Sequence, residues 1–367
     1  MIRLETLMNF LIDANLALIV AAFALVLADG LLVFCGYRRS YSMRLRLVMI
    51  SVAIVAFSPL VFLAFRWGIA PEIPSFSDVM ISQFLKGNIS VHPLAFDSFL
   101  TLRETVIAQV IEGHDTGLIA LAFVLGIAAM SRMIYVGMNI AKLTHIIRRG
   151  ITVRRIGKVE IIFSDQVHVP FSTRGARRFF VVLPQSMMLD ADLLKIAIGH
   201  ELQHIRQRDL ECEILAALVS PLFVLNPAYW YMSQKLRALR EYSCDFAYLR
   251  RRNCSPASYA KGLVKVAETA FLRAPERTMY ALSVPFVGRS RLFSRTARCG
   301  LVQRVNTLSR GETDKPGRGL IGGTTLLLLV TMFAGTAMLQ KSSGWSHDRI
   351  MMSTVVNLER LNSRNNP

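Results

Sequence analysis

The chain has 367 residues, 53% of them apolar, with 43 Lys and Arg against 25 Asp and Glu and a mean hydropathy of +0.40. That hydropathy is high for a soluble enzyme, and a formal charge of +18 beside it fits loops facing anionic lipid better than a nucleic-acid surface. Five cysteines, an odd number without a C-x-x-C pair, weigh against a disulfide framework and for reduced thiols.

Four apolar runs are long enough to cross a bilayer: Leu16 to Cys35, Leu47 to Phe65, Gly117 to about Met138, and Leu320 to Leu339. The start of the chain carries no basic region leading into a short apolar stretch, so it does not read as a cleaved signal. Asp29 and Arg132 are charges inside the first and third runs. An intramembrane charge is a functional hint, but Arg132 lies near one end of its run, where snorkelling is enough to account for it.

Arg38, Arg39, Arg44 and Arg46 lie between the first two runs, and Lys142, Arg148, Arg149, Arg154, Arg155 and Lys158 follow the third. The loop from 67 to 115 is acidic by contrast, with Glu72, Asp78, Asp97, Glu104, Glu112 and Asp115 against Lys86 and Arg103. The positive-inside rule therefore places the first loop and residues 142–318 in the cytoplasm, and the acidic loop and the residues after Gln340 outside. The expected organisation is a transmembrane region over 1–141, a cytoplasmic domain over 142–318, a fourth span over 319–340 and a short external tail over 341–367, too short to fold alone.

Within 142–318, Lys158 to Phe163 and Arg177 to Leu183 read as two strands joined by the turn-rich stretch from Pro170 to Gly175. A long helix is expected from Ala191 to about Val219, ended by Ser220-Pro221. A second opens at Asn226-Pro227 and runs to about Arg251, and a third opens at Ser255-Pro256. The apolar stretch from Ile214 to Leu225 reads as a buried or interfacial hairpin rather than a fifth span.

The chemistry sits on the first two of these helices. His200-Glu201-Leu202-Gln203-His204 sets two imidazoles one turn apart on one face, able to share a zinc ion, with Glu201 beside them to accept a proton from a metal-bound water. Gly199 before His200 leaves room for close packing. A catalytic zinc takes three protein ligands and keeps one position open. Glu241 on the next helix can supply the third, and Asp245, one turn on, can orient a ligand histidine through its other ring nitrogen. Tyr242 or Arg240 would serve as a second oxyanion donor, and nothing in the sequence chooses between them. Val169, Pro170 and Phe171 could lie on an edge strand that takes an extended substrate, with a plain core strand equally open.

The His-Glu-Leu-Gln-His run, Asp209 beyond it, Asn226-Pro227-Ala228-Tyr229-Trp230, the Arg-Glu-x-x-Cys-Asp run at 240–245, Val169-Pro170-Phe171, Gly175 and Leu183-Pro184 together resemble the BlaR/MecR-type antirepressor metallopeptidases. The resemblance runs from about Tyr135 to about Leu308. It implies a mostly α membrane protein of about four spans, with a cytoplasmic α+β gluzincin-type zinc peptidase domain between spans 3 and 4. It implies zinc on His200, His204 and Glu241, Glu201 as the base, and cleavage of a cytoplasmic transcriptional repressor, often after self-cleavage. Asp209 is either a solvated acid or a partner of a ligand.

The implied location is the inner (plasma) membrane. The implied partners are the bilayer and a cytoplasmic protein, such as a winged-helix repressor, without direct nucleic-acid binding; a homodimer is left open. The β-lactam sensors of the family carry a penicillin-binding domain after the last span. Only Lys341 to Pro367 follows here, so β-lactam sensing is not expected. A quality-control or processing zinc protease of the membrane, and a signalling scaffold with an inactive site, are the competing readings. The basic stretch from Arg289 to Arg318 reads as a linker, with a self-cleavage region as the alternative.

Overall fold

The computed structural model describes residues 2–37, 39–68, 76–252, 254–273, 284–285, 294–310, 318–338 and 347–365. Parts of the 289–318 stretch and of the 341–367 tail thus lie outside the described residues. The chain forms two compact units: one of residues 1–24, 54–128 and 326–367, the other of 25–53 and 129–325.

Long apolar helices contribute to both. They are α1 (Ile2–Phe34), α2 (Tyr41–Gly68), α5 (Thr116–Arg149) and α11 (Arg318–Met338). Leu4–Phe34 within α1 and Thr116–Arg149 are long and apolar enough to cross a membrane, and the most apolar window of the second is wholly unburied by protein. Gly322–Gly335 within α11 is a shorter apolar stretch. In α2 the side chains of the expected second span are described only as far as Val55, which is buried.

In the first unit, α3 (Phe76–Leu85), α4 (Pro93–Glu112) and α12 (His347–Asn365) close around Ile81, Phe96, Met352 and Val356. Arg349 ties α12 to α3 by donating to Asp78 at 2.7 Å and to Ser77 at 2.6 Å. The tail expected to be too short for a fold of its own therefore shares a core with the loop that precedes the third apolar run. That pairing joins positions more than 250 residues apart, which no local pattern could reveal.

The second unit is built on a five-stranded sheet of order β1-β2-β4-β3-β5: β1 (Ile151–Ile156), β2 (Val159–Ser164), β3 (Phe171–Arg174), β4 (Phe179–Pro184) and β5 (Val284–Pro285). The parallel pair β2 and β4 holds the two expected strands at its centre; the other pairings are antiparallel. The turn-rich connection contains a strand of its own, because β3 folds back on β4 with Phe171 opposite Val182.

Against the sheet pack α6 (Ala191–Gln207), α7 (Asp209–Val219), a 3-10 turn (Ser220–Phe223), α8 (Pro227–Arg252), α9 (Pro256–Arg273) and α10 (Ser294–Ser309). Their core gathers Ile161, Val181, Leu183, Leu193, Ala197, Phe246, Tyr259, Leu263 and Leu308. α6 opens on Asp190, whose carboxylate accepts from the Leu193 amide at 3.0 Å.

The expected single helix over 191–219 is two. It breaks at Arg208, a non-glycine residue at φ 57. For an L side chain the left-handed region costs roughly 1–2 kcal/mol, and the break turns Asp209 back toward α6.

Gly199 does what its position suggested. A Cβ there would stand 2.4 Å from the ring of Tyr248 on α8, so the missing side chain lets the two site-bearing helices close. We expect Gly199→Ala to cost about 1–3 kcal/mol by overpacking, with part recovered when Tyr248→Leu is added. Thermal unfolding of the single and double variants checks this; strictly additive losses would show that the two positions do not meet.

Candidate metal centre

His200, Glu201 and His204 on α6 are wholly buried. The two Nε2 atoms face each other at 3.0 Å, with the rings nearly perpendicular at 88°. The opposite ring nitrogens fix the tautomers. His204 Nδ1 lies 2.9 Å from Asp209 Oδ2, an acceptor only, so this nitrogen carries the hydrogen and donates. His200 Nδ1 lies 2.8 Å from the Tyr259 hydroxyl, whose own hydrogen goes to Asp245 Oδ1 at 2.7 Å. Burial and the neighbouring Asp245 hold the Tyr259 phenol well above its ordinary pKa, so it stays a donor. His200 Nδ1 must then donate to the hydroxyl oxygen. Without metal, a proton on His204, whose pKa is raised, bridges the two Nε2 atoms; with both rings neutral their lone pairs face each other and can take one cation. Two nitrogens on one tetrahedral zinc stand about 3.3 Å apart, close to what is found.

Glu241 on α8 faces the same pair. Its Oε2 lies 3.7 Å from His200 Nε2 and its Oε1 3.9 Å from His204 Nε2. Burial alone would raise its pKa, but the Arg304 guanidinium and the two imidazoles hold it down at about 2. Arg304 Nη1 stands 2.8 Å from Glu241 Oε2, near enough for an ion pair although not aligned as a hydrogen bond.

Cys244, a free thiol as expected, also comes close: its Sγ and one nitrogen of each histidine all lie within 4.8 Å of one another. Two donors thus compete for the third position, and the geometry favours Glu241. The thiol lies 3.6 Å from His200 Nδ1, the side already taken by Tyr259, and 3.4 Å from the His200 carbonyl oxygen. Burial holds Cys244 up at about 12, so it is a neutral thiol at working pH. Burial lowers the His204 imidazole while Cys244, if ionised, and Asp209 raise it, with a net rise well above its ordinary value. With the thiol neutral, Asp209 is the anion that acts.

Both carboxylate oxygens of Glu201 are buried with no hydrogen-bond partner, and burial pushes its pKa up to about 7. Ser172 Oγ on β3 acts to lower it, yet that hydroxyl too has no partner within hydrogen-bond geometry. Two buried carboxylate oxygens and a hydroxyl left unpaired mark a space built for something polar.

Among the expected residues, Asp209 touches a ligand candidate directly. Asp245 reaches His200 through Tyr259, its own oxygen standing 3.5 Å from Nδ1. Arg240 is buried and paired with Glu213, with Asp209 at 3.8 Å, and Tyr242 stacks on Tyr41 at 4.8 Å. Arg240 thus stands beside the acid that holds His204, and its Nε keeps no hydrogen-bond partner. Val169 packs on the core, Pro170 is buried, and Phe171 opens β3. That edge is not open at Phe171 and Ser172, which pair with Pro285 and Val284 of β5.

Comparison with known proteins fits this centre. A family described as BlaR1 peptidase M56 matches residues 10–293. The chain belongs to the BlaR1 peptidase M56 family. Regulatory protein BlaR1 of Bacillus licheniformis is 34% identical over 79 residues, 21% of this chain and 13% of that protein. The chain thus spans a small part of the length of that relative. The M56 match takes in β3, α6, α8 and Tyr259 and stops before Arg304.

Arg304 and Tyr259 are the residues that sequence reasoning missed. Arg304 on α10 donates to Asp245 from Nε at 2.8 Å and Nη2 at 2.7 Å while its Nη1 pairs with Glu241, so one buried cation serves both carboxylates of α8. Each lies 59 residues from its partner, and no local spacing announces it. The available signal was charge balance: two buried acids one turn apart require a cation from elsewhere.

Proposed function

We propose that the chain is a multi-pass membrane zinc metalloendopeptidase of the gluzincin type, with its site on the cytoplasmic side of the inner membrane. Its substrate would be a cytoplasmic protein, a transcriptional repressor, cleaved as part of signal transduction. The observation that carries the chemistry is the pair of facing Nε2 atoms with the Glu241 carboxylate within 3.7–3.9 Å of both. The basic segments after the first and third apolar runs, against the acidic loop between the second and third, support the orientation. The short 79-residue likeness to a regulatory protein supports the signalling role.

His200, His204 and Glu241 would hold the metal; when bound, zinc lowers the pKa of water and polarises the scissile carbonyl. Glu201 takes a proton from the attacking water on a carboxylate oxygen that is otherwise unpaired, and returns it to the amine that leaves. Asp209 and the Tyr259–Asp245 pair keep both imidazoles in the tautomer that presents Nε2. Arg304 keeps Glu241 ionised and in place. A substrate strand laid along β3 would occupy the position of β5.

Proteomics of membrane and cytosol from cells carrying the wild-type chain or Glu201→Gln tests the reading. A repressor-sized protein shortened only with the wild type is the expected result. Accumulation of unfolded membrane proteins in the variant, with no such fragment, would assign a quality-control protease instead.

A further inference from the structure

From Ile214 through Gln234 the chain carries no charged residue, although 19% of all residues are charged. This run is the tip of the α7–α8 hairpin; one face packs inward through Ala217, Phe223, Tyr229 and Met232, and the other is open. Leu218, Leu222, Leu225, Trp230 and Tyr231 all face outward, Leu225 at 60% exposure and Trp230 at 42%. Exposed apolar residues clustered on one turn mark an interaction surface.

Two ties show what lies around it. Arg132 donates from Nε to Ser220 Oγ at 3.0 Å, and its guanidinium lies over the rings of Tyr135 at 5.3 Å and Trp230 at 5.8 Å. Arg132 is the lone Lys, Arg, Asp or Glu between Thr116 and Ala141 of α5, a helix that presents Met130, Met133, Ile134 and Met138 to its surroundings. The charge within that apolar run is therefore engaged by the hairpin. On the other arm, Lys235 pairs with Asp29 of α1, which also takes the fork of Arg44 at 2.9 and 3.0 Å. Asp29 lies five residues before the end of that apolar helix.

We infer that the tip of the α7–α8 hairpin, Leu218 to Tyr231, is seated in the lipid bilayer at the headgroup–acyl boundary. The occupant of this face is lipid because both ties run to helices whose own exposed faces are apolar at that level. Arg132 stands six residues inside the expected end of its span, roughly 9 Å, which is the depth of an interfacial element. Trp230 and Tyr231 supply the aromatic residues that favour this boundary, and the Trp230 Nε1–H is satisfied by the Val224 carbonyl at 2.8 Å. The roots of the hairpin are Asp209 and Glu241. Eleven residues of α8 separate Trp230 from Glu241, roughly 16 Å, so the metal centre stands at the bilayer surface and receives peptide lying along the membrane. The hairpin's seating does not depend on metal binding or catalysis.

The test uses the full chain in phosphatidylcholine nanodiscs, with Trp67→Phe and Trp345→Phe leaving Trp230 as the sole tryptophan. Acyl chains brominated near the headgroup should remove about half of its emission, and aqueous acrylamide should remove little. Strong acrylamide quenching without bromolipid quenching would overturn the inference. Protection from both would also overturn it, since a protein surface would then cover the tip. Should the double variant fail to fold, photoactivatable phosphatidylcholine with the wild-type chain reads the same contact. Label on the 214–234 peptides is the expected result, and label confined to the long apolar helices would refute it.

Discussion

Glu201→Gln is expected to lower peptide cleavage by roughly 10³–10⁴-fold while leaving bound zinc unchanged, because the amide cannot take the proton and does not hold the metal. The same substitution should stabilise the metal-free protein above neutral pH. Burial raises the Glu201 pKa from 4.5 to about 7, so folding favours the protonated acid. Its contribution is fully present below pH 4.5 and is lost as pH rises through 7. By pH 8 the ionised carboxylate costs on the order of 3 kcal/mol, a penalty that the glutamine avoids. Unfolding of chelator-treated wild type and variant at pH 5 and pH 8 checks the sign. The variant's advantage should be large at pH 8 and fall below about 1 kcal/mol at pH 5. An advantage that is equal at both, or larger at pH 5, would show that this carboxylate is not buried and unpaired.

Arg304→Leu should be the most damaging single change to the framework of the site. It strips the cation from two buried carboxylates, Glu241 and Asp245, and leaving buried charge uncompensated costs about 3–5 kcal/mol. Zinc affinity should fall by roughly 10–100-fold, as when other partners of metal ligands are removed. Arg304→Lys keeps the charge but not the fork, since an ammonium cannot bond both Asp245 oxygens and reach Glu241 in one plane. It should recover part of the stability and less of the affinity. Chelator competition and thermal unfolding on the three proteins measure the two quantities separately. A lysine variant equal to wild type in both would reduce Arg304 to a generic counter-ion.

Much of the centre was legible because its central part is local. An i, i+4 histidine pair with an acid between, and a second acid pair one turn apart on the next helix, follow directly from helical geometry. So did the two central strands, whose β-branched and aromatic runs have no other stable placement. What could not be read depends on distance or on backbone conformation. The break at Arg208 has no glycine to announce it, so α6 and α7 looked continuous, and Asp209 remained ambiguous until the turn aimed it at His204. Asp245 was expected to reach a histidine directly; a tyrosine from α9 intervenes. Arg240 and Tyr242 flank Glu241, but neighbours in sequence on a helix point about 100° apart, so their contacts with Glu213 and Tyr41 could not be read from spacing. Strand β3 was hidden among residues that favour turns, since its pairing with β4 is decided by tertiary contact rather than propensity.

The central claim is a single ion held by His200, His204 and Glu241. The most direct measurement is the zinc content of the purified full-length chain and of four variants. One zinc per chain is expected in the wild type and in Cys244→Ser, with loss in His200→Ala, His204→Ala and Glu241→Ala. Wild-type protein without bound metal, or zinc that survives Glu241→Ala and leaves with Cys244→Ser, would contradict it.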